Sequence, residues 1–589
     1  MKVKGILTTL TVFMFSAYCH AQFPGGGFPG GGFPGGGFGG FGGFGGRFPI
    51  TTSPQEQSGG QQGQQPGPGG FGGGFGAGQF PGGGGFPGGG FPGGMGGGFG
   101  MMGGTVRYDG SQGTDVEFTS SDLPVVIIET DGKPVTNDSK LDASMKIIDN
   151  GNGRRNKLTD RPDAYNGKIG IKLRGNSSLY FEQKRFTIET KDDDGNDLDV
   201  ELLGMPADND WVLLAPYNDI SMMRDPFAFD LWNGMGHWAP HYRYCEVVMN
   251  GHYIGVYILC EKIKQGKNRL DIAKLKPKDN SGIELTGGYI VRIDPVEGDE
   301  PYFTSDVPGI TSIGGGFGGF GGGMGGFSTV TWTYYYPKPE KITPEQQEYI
   351  SNYVKTVEKV IQSDDFADPE NGYAKYISVS SFVDYFIHTE LSLNADGLKR
   401  SAYFYKTKQN EDGTGGKLHA GSVWDYNLAY GNCNFCNANK IDAWVYEGGE
   451  TNPTPALWKR LTEDPAFMAK VKTRWQELRR DVLSIENINR YIDEHASLLA
   501  EAQKRQYARY TDLLVSQSGN RGQAGGNSGF GGGFGGFGGG MMGGFGGGFG
   551  GGDAIGMFAA YRVSSYEEEI ATLKRWFADR IAFLDSNWN

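Results

Sequence analysis

An α+β fold is predicted, from a strand-rich first half, a change to helical periodicity after about residue 343, and glycine-rich blocks that interrupt both without belonging to either. The 589 residues include 103 Gly and 28 Pro, more than one glycine in six, against an ordinary share of about 7%. Most of the excess lies in Gly/Phe blocks at about 22–104, 312–327 and 519–552. The glycines do not recur at every third position, so a collagen triple helix is excluded. The remaining stretches, 105–311, 328–518 and 553–589, have ordinary, aromatic-rich composition and are long enough for a large core and two domains.

Strands are expected in order at 123–129, 143–149 and 167–173, where β-branched residues alternate with polar ones, as a small β-layer leading into the main domain. Further strands are expected at 185–189 and 211–215, followed by one inserted helix near 221–235. A hairpin over 246–259 turns at Asn250-Gly251. A two-residue turn there sets Cys245 opposite Val256, which argues against a Cys245–Cys260 disulfide. Strand-like runs at 288–294 and 328–336 flank the second Gly/Phe block, so that block is an expanded surface loop, tolerated because closure entropy rises slowly with length.

Past Tyr336 the period becomes helical. Thr343, Pro344 and Gln346 form a capping box with proline at the first helical position, and Tyr349, Ile350, Tyr353, Val354, Val357 and Ile361 share one face. A second helix is expected from Ser381 through Leu391, then a strand over 418–424, then helices at about 455–515 and 560–586. Two lobes of this kind, meeting at a hinge, would enclose a cleft.

Lys2, Lys4, the apolar run 6–15 and the small residues before Gln22 read as a secretory leader cut after Ala21, so a secreted, periplasmic or cell-surface protein is expected. No later segment has the length and apolarity of a membrane helix. Cleavage removes Cys19 and leaves Cys245, Cys260, Cys433 and Cys436, too few for a disulfide scaffold. The CxxC at 433–436 has no second pair to complete a zinc site, which leaves a structural or a local redox role. A net charge of −13, from 54 basic and 67 acidic residues, argues against a nucleic-acid partner. The Gly/Phe blocks cannot offset their ordering entropy and are expected to be disordered, serving as linkers or as spaced adhesive points for self-association.

No GxSxG, HExxH or Walker motif is present. Short polar segments instead stand at the ends of predicted elements: RGNSS at 174–178, Lys184-Arg185, NDW at 209–211, the MRD helix start at 223–225, the NGHYIGVY hairpin with EKI at 261–263, the loop 393–401, and VWD at 423–425 with GN at 431–432. Together these resemble the spore coat protein H-like (CotH) kinase family, from about Leu123 to the C-terminus.

That resemblance implies an atypical protein-kinase-like, two-lobed fold that binds ATP with magnesium or manganese and phosphorylates Ser or Thr of extracytoplasmic proteins. After the leader 1–21 and the Gly/Phe/Pro-rich segment 22–104 it leaves a β-rich region 105–166 and a kinase-like domain 167–589 with Gly-rich insertions at 312–327 and 519–552. Phosphoryl transfer requires a turn over the phosphates, a cation on them, a carboxylate near the acceptor hydroxyl and one on the metal. Gly175, Asn176, Ser177 and Ser178 fit the turn, Lys184 the phosphate cation, with Arg224 as a second. Glu261 stands where a kinase hinge passes the adenine, with its backbone neighbours doing the binding and its side chain left to a structural role. Asp396 resembles the catalytic aspartate and Asp425 the metal-binding one, with Asn427 and Ser401 at positions where further ligands are expected. Ser401 replaces an asparagine and Asn427 an acid, which lowers the charge of the site. A non-catalytic surface or matrix protein on the same scaffold is the alternative.

Overall fold

The computed structural model describes residues 105–151, 153–308, 329–434, 436–448, 454–514 and 561–589. The leader and the Gly/Phe blocks at 22–104, 312–327 and 519–552 lie outside the described residues. Seven strands close into a barrel: β1 (Val125–Glu129), β2 (Leu141–Ile148), β3 (Tyr165–Arg174), β4 (Arg185–Lys191), β5 (Asp210–Leu214), β6 (Tyr242–Met249) and β7 (His252–Glu261). Their order is β5-β7-β6-β1-β2-β3-β4, with β4 returning to β5. All pairs are antiparallel except β6 with β1.

The strands expected to form a small layer ahead of the main domain are therefore staves of this barrel. Val126, Ile128, Met145 and Ile147 on β1 and β2 bury their inner faces against Phe186, Ile188, Leu213, Val247 and Tyr257, and closure leaves no open edge. The early parts of β2 and β3 alternate between half-buried and exposed positions, but β5 is buried throughout and β7 from Tyr253 onward. The outer faces of β5 and β7 carry Val212, Leu214, Val256 and Ile258 into the larger core shared with the helices.

The β6–β7 turn is Asn250-Gly251, both residues left-handed at φ 49° and 81°. A bulge between Val247 and Val248 shifts the register, so Cys245 faces Tyr257 where an unbroken hairpin would set it against Val256. Cys245 lies in the barrel interior and Cys260 in the outer core, which rules out a bond between them.

Between β5 and β6 runs α1 (Arg224–Gly234), buried on nearly all sides. A second sheet, in the order β9-β10-β8-β11-β12, comprises β8 (Tyr289–Ile293), β9 (Tyr302–Pro308), β10 (Thr329–Tyr336), β11 (Ala402–Lys406) and β12 (Leu418–Ala420). Helix α2 (Pro344–Gln362) has the expected reciprocal Thr343–Gln346 capping box and buries Ile350, Val354, Val357 and Ile361. Then come α3 (Val379–Ser392), α4 (Ala456–Thr462), α5 (Pro465–Arg479), α6 (Ile485–Leu498), α7 (Ala502–Arg509) and α8 (Tyr566–Trp588). Among the described residues no helix is long and apolar enough to cross a membrane.

Helix α8 is integral to the core, with Leu573, Trp576, Phe577, Ile581, Leu584 and Trp588 buried. Its Arg580 donates to the Glu390 carbonyl on α3 at 3.0 Å and to the Ala443 carbonyl at 2.8 Å.

Strand β12 stops at Ala420, short of the expected 418–424. Gly421 sits at φ +107°, and a Cβ there would lie 2.5 Å from the Trp232 ring. The chain thus leaves the sheet and carries residues 422–432 over α1 as a loop. Gly421→Ala combines left-handed strain with overpacking, and urea unfolding should show a loss of about 2–4 kcal/mol.

Candidate functional site

The site is built where the ends of β3 and β4 meet the loop after β12. Beyond Arg174 the chain turns at Gly175, at φ +106°, where a Cβ would fall 1.8 Å from Ser178 Oγ. Asn176 and Ser177 are exposed, Ser178 is buried, and residues Ser177–Tyr180 form one 3₁₀ turn. Phe181 anchors the turn by stacking on Tyr217 at 5.4 Å, and Gln183 donates to the Val256 carbonyl at 2.8 Å.

Lys184 closes this turn from below. Its ammonium donates to the carbonyls of Leu179, at 2.7 Å, and Phe181. Burial lowers its pKa to about 8. The structure thus places Lys184 against its own turn, and the cation of this strand that reaches the aspartate loop is Arg185. Its Nη1 meets Asp425 Oδ1 at 2.8 Å, with the Arg185 side chain 8% and the Asp425 side chain 36% exposed. Arg174 pairs in register with Arg185 and sets its guanidinium 4.9 Å from the Trp424 ring centre.

Asp425 is itself left-handed, at φ 66°. The next amide, Tyr426 N–H, donates to Asp225 Oδ1 at 2.6 Å, tying the loop to the first turn of α1. Asn427 is buried and donates to Asn218 Oδ1 at 3.0 Å, while Asn432 donates to the carbonyls of Asn218 and Asn427 at 2.7 and 2.8 Å. Asp294, just past β8, accepts from Ser401 N–H at 3.3 Å and pairs with Arg292 at 3.2 Å. Arg292 lies over the Tyr335 ring, and Tyr335 O–H donates to the Ile263 carbonyl just beyond β7.

Asp396 is half-buried in the turn after α3, which ends on left-handed Leu393. Asn394 Oδ1 accepts its N–H at 3.2 Å, and its carbonyl accepts from Arg400 N–H at 2.8 Å. Burial raises the Asp396 carboxyl pKa, Arg400 and Lys399 oppose this, and Asp425 adds to it. Burial likewise lifts Asp294 to about 6 and Asp225 to about 7, against the pull of Arg292 and Arg185 and with a further push from Asp425. In all three the push from Asp425 is smaller than the effects of burial and of the neighbouring arginine.

Arg224, expected as a second phosphate cation, points elsewhere, and the Glu261 side chain is structural. Arg224 is fully buried, pairing with Asp219 and with Glu569 on α8 (2.8 Å), and donating to Tyr561 O–H and the Ala429 carbonyl. Glu261 is buried too, bound by Arg269 and by His241, whose N–H and Nδ1 lie 3.1 and 2.9 Å from Oε2. Both hold the frame of the site. Arg174, Arg185, Asp225 and Asp294 are the residues that sequence reasoning passed over. A strand phase that sends Leu173, Phe186 and Ile188 into the barrel sends Arg174 and Arg185 out of it, and that alternation was the available signal.

A model of the CotH kinase protein family matches residues 171–584. The chain belongs to the CotH kinase family. The match begins within β3, so the CotH region includes most of the barrel, and β1 and β2 complete the barrel from outside it. No curated protein shows significant similarity to the chain.

A CotH kinase implies ATP and a divalent cation. The Gly175 turn has no room for a side chain, Arg185 Nε is a buried donor with no acceptor, and Arg174 has no carboxylate partner among the described residues, all of which suit phosphate. Among the described residues no three His, Cys, Asp or Glu side chains group closely enough to hold a metal by themselves. One carboxylate on the cation remains compatible with magnesium, which is usually held by one or two carboxylates plus substrate phosphates.

The Asp225 carboxyl supplies a pH test. Its folded pKa is raised from 3.8 to about 7, so the native state keeps a proton that the unfolded chain has already lost. Its contribution to stability is complete below about pH 4 and is lost as pH rises through 7. Asp225→Asn, which keeps an acceptor for Tyr426 N–H, should gain stability relative to wild type between pH 4 and 7, by a few kcal/mol at most, in urea titrations across that range.

Proposed function

We propose that the protein is a secreted, metal-dependent protein kinase that transfers the γ-phosphate of ATP to Ser or Thr of an extracytoplasmic protein. In this reading the barrel is the nucleotide-side lobe and the second sheet with its helices is the acceptor-side lobe. The observation that carries it is the ion pair of a barrel cation, Arg185, with Asp425 at 2.8 Å, in a loop whose next amide is held by Asp225 at 2.6 Å. A bound magnesium or manganese ion would neutralise phosphate charge.

The residues act as follows. Asp425 holds the metal side of the site and the Gly175 turn covers the phosphates. Asp396 accepts the proton of the acceptor hydroxyl as its oxygen bonds to the γ-phosphorus and the bond to the β–γ bridging oxygen breaks, releasing ADP. Its raised pKa makes it a better proton acceptor than an ordinary aspartate.

The alternative, a non-catalytic surface or matrix protein, draws on Asn427. Its amide is used to brace Asn218, where the family often carries an acid. The deciding experiment incubates mature protein with ATP and manganese or magnesium, with a Ser/Thr-rich acceptor protein present, and maps phosphosites by mass spectrometry. Phosphoserine or phosphothreonine formed by wild type and absent with Asp396→Asn supports the kinase. ATP binding without any phosphorylated product supports the scaffold.

A further inference from the structure

Building on the kinase reading, we propose that Arg174 and Arg185 form the polyphosphate clamp of the site, with the Trp424 ring holding Arg174 ready. The two arginines are directly opposed in the β3–β4 register, so their side chains leave the same face of the barrel. Like charges in that position repel, and a purely structural pair would be expected to have a carboxylate for each. Only Arg185 has one, Asp425. Among the described residues the Arg174 guanidinium makes no hydrogen bond or ion pair, and what holds it is the Trp424 ring.

An aromatic ring engages the face of a guanidinium and leaves the N–H groups along its edge available. Those edge donors match phosphate oxygens in pairs. Trp424 is itself fixed, 7% exposed and stacked on Phe229 at 5.8 Å. Arg185 adds a buried Nε donor without an acceptor. Both arginines adjoin the Gly175 turn, whose Asn176 and Ser177 are exposed. The other nearby cations are already engaged, Lys184 by carbonyl oxygens and Arg224 by Asp219 and Glu569. A chain of phosphates suits two adjacent guanidiniums better than a single monoester does.

Calorimetry on the full mature chain, with magnesium, compares ATP, AMP, adenosine and inorganic tripolyphosphate on wild type, Arg174→Gln, Arg174→Lys and Trp424→Leu. The clamp predicts that Arg174→Gln weakens ATP and tripolyphosphate by about tenfold or more while adenosine is unchanged. Arg174→Lys should recover part of the loss, because it keeps the charge without the planar fork. Trp424→Leu should show a smaller loss of the same kind. Arg174→Gln should also melt no lower than wild type, since it removes a like-charge neighbour of Arg185. Equal ATP and tripolyphosphate affinity in wild type and Arg174→Gln overturns the clamp, as does a lower melting point with unchanged affinity. If wild type binds tripolyphosphate but neither adenosine nor ATP preferentially, the clamp stands and the nucleotide reading fails. If wild type binds none of them, both fail.

Discussion

Arg224→Met should cost about 3–5 kcal/mol of stability, the largest loss expected of any single substitution here, because it leaves two buried carboxylates without their cation. Arg224 opens α1, where a positive charge is unfavourable to the helix dipole. It is kept there by Asp219, whose Oδ2 also accepts the Arg224 N–H at 2.8 Å, and by Glu569 on α8. The residue thus joins the loop before α1, the loop after β12 and the last helix of the chain. Burial already raises the Glu569 carboxyl pKa against the opposing pull of Arg224. Urea denaturation of Arg224→Met should therefore show a lower midpoint, and the triple variant with Asp219→Asn and Glu569→Gln should regain much of the loss. A single variant as stable as wild type would mean that the pairing contributes nothing.

Asp396→Asn should reduce phosphate transfer by about 10²–10⁴-fold, the usual range for loss of a positioned proton acceptor. ATP affinity should change little, because in the proposed kinase Asp396 acts on the acceptor hydroxyl and not on the phosphates. The fold should survive: the polar contacts of this turn run through the Asp396 N–H, to Asn394, and its carbonyl, from Arg400, and the substitution keeps both. Steady-state assays with a fixed acceptor should show a fall in kcat with an unchanged KM for ATP. A fall in ATP affinity with intact turnover would reassign the residue.

The elements were legible where pattern is local. The capping box of α2, the Asn250-Gly251 turn and the strands at 125–129 and 289–293 follow from short-range chemistry that the sequence displays directly. Barrel closure was not legible, because it depends on β1 lying parallel to β6, more than a hundred residues away. At the site, the motifs marked the right loops but not the right atoms. Lys184 and Arg185 differ by one strand position, and one position decides which face of the sheet a side chain leaves. The Arg185–Asp425 and Asp225–Tyr426 contacts span 240 and 201 residues. Asp294 stood at the end of a predicted strand like the other acids, yet only the fold brings Ser401 to it. Arg224 looked like a phosphate ligand because its partner Glu569 lies 345 residues away.

Whether Asp425 organises a metal–nucleotide site is decided by calorimetric titration of ATP with and without manganese, on wild type and Asp425→Asn. The asparagine keeps the size of the side chain and an oxygen for Arg185. The expected result is metal-dependent binding by wild type that weakens by about tenfold or more in the variant. Binding that is indifferent to both the metal and the substitution, or no binding by a protein shown to be folded, would contradict it.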